Sequence, residues 1–129
     1  MEGKGIELDN IVRIPSTTDT IFRRWLEFLS PFHHLTGREM DVATALLKER
    51  YTLSKVISDN DLLERILMSE DTHKKIKQEY NLANQHFQVI KSKLKSKKFL
   101  VDNKINPRLI PNIKEEKDTF KLLLLFDMR

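Results

Sequence analysis

Apolar residues return at helical spacing in four stretches of the chain. Ile21, Phe22, Trp25, Leu26 and Leu29 fall at i, i+1, i+4, i+5 and i+8, one stripe of a helix. Thr17-Thr18-Asp19 supplies cap chemistry ahead of it, and Ser30-Pro31 is expected to end it, because a residue before proline is pushed out of the α region. Val42, Ala43, Ala45, Leu46 and Leu47 mark the buried side of a second helix, from about Arg38 to Tyr51. Thr36-Gly37-Arg38-Glu39 opens it with a T-x-x-E capping box, in which hydroxyl and carboxylate each take one orphan amide. Residues 52–60 read as a link, and Asp61 to Met68 as a short helix using Leu62, Leu63, Ile66 and Leu67.

Ser69-Glu70-Asp71-Thr72 then caps a helix to about Glu79. Its acids lie in the first turn and Lys74, Lys75 and Lys77 follow, the polarity that suits the helix dipole. After a short break at Tyr80-Asn81-Leu82, a helix over Ala83–Lys97 places Phe87, Ile90 and Leu94 at i, i+3 and i+7. Phe99-Leu100-Val101, Asp102-Asn103 and Lys104-Ile105 read as a tight hairpin, since Asp and Asn tolerate the positive φ of a two-residue primed turn. Pro107 and Pro111 bracket Arg108-Leu109-Ile110 and discourage further helix. Ile6 to Ile14, stopped by Pro15, reads as a strand or extended arm, Lys114 to Asp118 as a charged loop, and Phe120 to Phe126 as a buried strand. The expected class is mainly α with a small β component. An N-terminal extension of strand or arm plus helix (1–35) packs on a domain of residues 36–111, followed by a charged loop and C-terminal strand (112–129).

Composition narrows the function. The 129 residues contain no Cys, which excludes a disulfide scaffold, an iron–sulfur cluster and a Cys-type zinc site. The longest apolar run, Leu122 to Phe126, is five residues, against about 18–20 needed to span a bilayer. Met1-Glu2-Gly3-Lys4-Gly5 lacks the basic and apolar regions of a secretory leader, so a cytoplasmic protein is expected. Three glycines supply neither a dinucleotide nor a P-loop fingerprint. The net charge of +4 hides an asymmetry: residues 74–108 carry ten basic and two acidic side chains, whereas residues 1–72 carry nine and thirteen. A concentrated basic segment is the footprint of a polyanion binder. Lysines that merely solvate exposed helix faces would look the same.

Ile76, the Asn81-Leu82 turn, Phe87-x-x-Ile90-x-x-x-Leu94 and the run Leu94-Lys95-Ser96-Lys97-Lys98-Phe99-Leu100-Val101 together resemble the core of a winged helix-turn-helix domain over Ser69 to Pro111. That family usually has Gly where Lys98 stands, because Gly takes the left-handed cap without strain. Leu35-Thr36-Gly37-Arg38-Glu39-Met40-Asp41-Val42 is similar to the opening of a response-regulator-type helix-turn-helix, without that family's serine-led turn downstream, and is read as the capped first helix of the same domain. Small size and Lys/Asn-rich usage resemble tailed-phage proteins, which would place the chain in a bacterial host cytoplasm.

The resemblance implies a double-stranded DNA-binding transcriptional regulator. Helix 83–97 would enter the major groove and a basic wing over 99–110 would lie on the backbone. With Phe87, Ile90 and Leu94 toward the core, Asn84, Gln85 and Gln88 would meet base edges, with Ser92 on the same face. Lys91, Lys95, Lys97 and Lys98 would sit on phosphates, and Lys104 and Arg108 would reach the neighbouring backbone. The alternative is a winged-helix interaction subunit of a phage or transcription complex with no sequence-specific DNA binding of its own. Phe22 and Trp25 are read as core or as a surface for a homodimer or protein partner. No enzyme and no cofactor or metal is expected. His33-His34 lacks a third ligand at metal spacing, His73 and His86 stand alone, and Glu115-Glu116 has no histidine, lysine or glycine loop around it. Glu39 is better explained by its cap than by pairing with Asp41.

Overall fold

A computed structural model describes residues 12–114 and 119–128. The chain is mainly helical with one small two-stranded antiparallel sheet. In order come α1 (Ile21–Phe28), α2 (Ser30–His33), α3 (Gly37–Ser54), α4 (Asn60–Leu67), α5 (Glu70–Glu79), α6 (Asn84–Ser96), β1 (Leu100–Val101) and β2 (Lys104–Ile105), followed by a 3-10 turn at Pro107–Leu109.

α3 is the pillar. Thr36 and Glu39 form the capping box, and Gly37 opens the helix at φ +46°, a left-handed value that other side chains resist. Met40 and the unbroken run Val42–Leu47 are buried, so α3 is covered nearly all round by α1, α4 and α6. Phe22, Leu26 and Leu29 of the first stripe close one side, and Phe87, Ile90, Leu94, Phe99 and Ile105 the other, in one continuous core. Arg50 of α3 donates to Glu64 of α4 at 2.8 Å with both side chains largely out of water.

Several expectations need correction. α1 does stop at Phe28, ahead of Ser30-Pro31, but a further short helix follows at once, with Pro31 in the first turn of α2, where its missing N–H costs nothing. Pro107 opens a 3-10 turn for the same reason. Residues 119–128 hold no strand, and Leu122–Phe126 is exposed rather than buried, because no described strand lies alongside to satisfy its backbone. Val12–Ile14 is likewise irregular, while the rest of the arm from Ile6, and residues 115–118 of the charged loop, lie outside the described residues. Phe22 is only 2% exposed and faces Tyr51, so it is core and offers no surface to a partner. Trp25 is half-buried, donating its indole N–H to the Leu109 carbonyl at 2.9 Å. No helix among the described residues is long and apolar enough to cross a membrane.

Candidate nucleic-acid interface

The basic segment folds into α5, a short turn, α6 and the hairpin. Ser69 caps α5 by accepting the Thr72 amide. The helix ends in a Schellman turn: Asn81 takes φ 53°, its N–H reaches the Gln78 carbonyl, and the Leu82 N–H reaches that of Lys77. α6 ends in the same way. Lys98 adopts φ 68°, its N–H bonds the Lys95 carbonyl, and the Phe99 N–H bonds that of Leu94, while both Leu94 and Phe99 are buried. A lysine thus occupies the left-handed position at some strain, held by the buried Leu94 and Phe99 on either side. Asp102 and Asn103, at φ 55° and 60°, turn the hairpin and pair Leu100 with Ile105 and Val101 with Lys104.

α6 buries only Phe87, Ile90 and Leu94. Opposite that stripe lie Gln85, Ser92 and Ser96, with Gln88 and Val89 beside them, all exposed. Helical geometry sets Lys91 and Lys95 along one edge of this uncharged strip and Lys93 along the other. Lys91 is half-buried, and that burial, with Lys95 nearby, draws its pKa below the usual lysine value. Among the described residues Lys91, Lys93, Lys95, Lys98 and Arg108 pair with no carboxylate.

Other expected contacts are spoken for. Asn84 accepts from the Lys77 ammonium at 3.0 Å through its side-chain oxygen. Lys97 turns inward, its Nζ donating to Glu39 at 2.6 Å and to the His34 carbonyl at 2.8 Å, so it locks the end of α6 to the start of α3 and is withdrawn from any phosphate. Burial by itself would raise the Glu39 carboxyl, but Lys97, the Thr36 amide and the charge of Lys93 draw it below the ordinary value. Lys104 lies 3.4 Å from Asp61, and Arg108 sits on the 3-10 turn, beyond the hairpin strands that end at Ile105.

Val89, 57% exposed, and Lys93 and Ser96 belong to this face and were not singled out from sequence. The signal was available: each falls off the Phe87–Ile90–Leu94 stripe at 100° per residue. Gln88, Val89, Ser92, Lys93 and Ser96 form one contiguous patch on the outer face of α6. Beneath the face, His73 of α5 is buried with its ring 5.1 Å from that of Phe87, and its Nε2 has no hydrogen-bond partner among the described residues. Burial, reinforced by Lys91, lowers its pKa. No protein-family model, no curated protein and no solved structure matches the chain.

Proposed function

We propose that the chain is a DNA-binding protein, a phage-type transcriptional regulator with a winged helix-turn-helix that lays α6 in the major groove. The supporting observation is the uncharged strip of Gln85, Gln88, Val89, Ser92 and Ser96, edged by lysines that meet no carboxylate within the described fold. Amide side chains bond adenine edges bidentately and an apolar group suits the thymine methyl, so Gln85 and Gln88 read bases and Val89 adds a methyl contact. Lys91, Lys93, Lys95 and Lys98 neutralise phosphates, with Arg108 on the neighbouring backbone. The reading assigns Lys97 and Lys104 no contact, and it assigns the chain no catalytic chemistry.

Val89, exposed and apolar, also favours a second reading, in which the same face of α6 docks a protein. Selection from a pool of random duplex DNA separates the two. An enriched motif supports base reading, and a flat pool favours protein docking. On a selected site, Gln88→Ala should lose about 1–3 kcal/mol, with little change on random duplex. A specific-to-random ratio equal to wild type would remove Gln88 from the reading face.

A further inference from the structure

An open groove of about 410 Å³ lies between α1, α3 and the segment that follows the hairpin. Ile110, Ile113 and Tyr51 give it an accessible apolar lining over the buried Phe22 and Leu47, and Arg50 lines it as well. The Arg50 Nε donates to Glu64, which holds the guanidinium in place, while its two terminal nitrogens donate to nothing among the described residues. A guanidinium fixed at one nitrogen and open at the others is set for a carboxylate.

The same chain carries a matching segment. Leu122–Phe126 presents five consecutive apolar side chains, from 42% exposed at Leu122 to 82% at Phe126, and Asp127 follows directly. Contiguous apolar surface of this kind marks an interaction site. Phe120 is packed edge-on to Trp25, ring centroids 5.5 Å apart, so the segment is rooted beside α1. None of residues 119–128 lines the groove of its own chain.

We propose that residues 122–127 of a second copy fill this groove, with the Leu and Phe side chains on its apolar lining and Asp127 on the open end of Arg50. The exchange is reciprocal, so two grooves and two segments close a twofold dimer. The groove shares no residue with α6, so the proposal stands apart from the DNA-binding reading.

Sedimentation of the full chain over a wide concentration range is the test. Wild type should move from the mass of one chain to that of two. The double variant Leu125→Asp, Phe126→Asp alters side chains 79% and 82% exposed, so it should fold as wild type by circular dichroism and melting. It should associate at least about tenfold more weakly. Ile113→Asp, in the groove, should do the same. Because one variant keeps an intact groove and the other an intact segment, mixing them should restore a weaker heterodimer, seen by labelling one of the two. A wild-type chain that stays monomeric throughout overturns the proposal, as does a double variant that dimerises like wild type. Monomeric wild type with a less stable double variant would mean that the segment docks in its own groove, and that too overturns it.

Discussion

α3 and α6 pack against each other and treat their charges in opposite ways. On α3, Glu39, Asp41, Glu49 and Arg50 are all answered within the fold, by Lys97, Arg23, Lys75 and Glu64. On α6, Lys91, Lys93 and Lys95 meet no carboxylate among the described residues, and the helix buries a single stripe. A helix enclosed by its own chain must pair its ions internally, because buried charge is expensive. A helix with one face in water can leave its charges for something outside. The difference separates residues that hold the fold from those free to bind, and Lys97 shows that the boundary runs through α6 itself.

The deepest cut at the holding side is Leu94→Ala, at a fully buried position between α6 and the hairpin. It should cost about 2–5 kcal/mol by chemical denaturation. A midpoint equal to wild type would mean that the stripe does not face α3. Lys97→Ala should come next, at about 1–3 kcal/mol, since it leaves Glu39 half-buried with a partner lost. Acid acts on the same side. Burial holds His33 and His73 below the ordinary histidine value of 6.5, and the Leu35 amide occupies the Nδ1 of His33. The native state therefore binds fewer protons than the unfolded chain just below that value. Stability should be complete above about pH 6.5 and decline as pH falls through it. Glu39 follows at lower pH, its contribution present above 4.5 and lost as pH drops through its depressed native value. A lower melting temperature at pH 5.5 than at 7.5, partly levelled in His73→Gln, would bear this out, and a flat profile would contradict it. The smallest effects belong to the open face: Val89→Ala and Lys95→Ala should each stay within about 0.5 kcal/mol of wild type in stability. A larger loss in either would blur the contrast between the helices.

Local chemistry was readable from the residues. The Thr36–Glu39 box, the Ser69 cap, the buried stripe of α6 and the Asp102-Asn103 turn all depend on neighbours within four positions, and each stands as its spacing implies. What stayed hidden depends on distant partners. Lys97 looks like any lysine of a basic run until the chain brings His34 and Glu39 to its ammonium. His33 gains its burial from Leu26 and Leu35 closing on both ring nitrogens. Phe120–Phe126 has the apolar composition of a strand, but a strand also needs an adjacent edge, and none stands beside it. The hydrophobic pattern also left Pro31 and Pro107 ambiguous, since proline bars the interior of a helix and suits its first turn.

The open face of α6 is tested most directly by titrating the wild-type protein into labelled duplex DNA at several salt concentrations and following anisotropy. Lys91, Lys93, Lys95, Lys98 and Arg108 offer four or five phosphate contacts once Lys97 and Lys104 are set aside. Log K should then fall with log salt at a slope of roughly −3.5 to −4.5. Lys95→Ala should flatten that slope by roughly one unit, on specific and random duplex alike. Absence of binding at low salt, or an affinity indifferent to salt, would contradict DNA contact by this face.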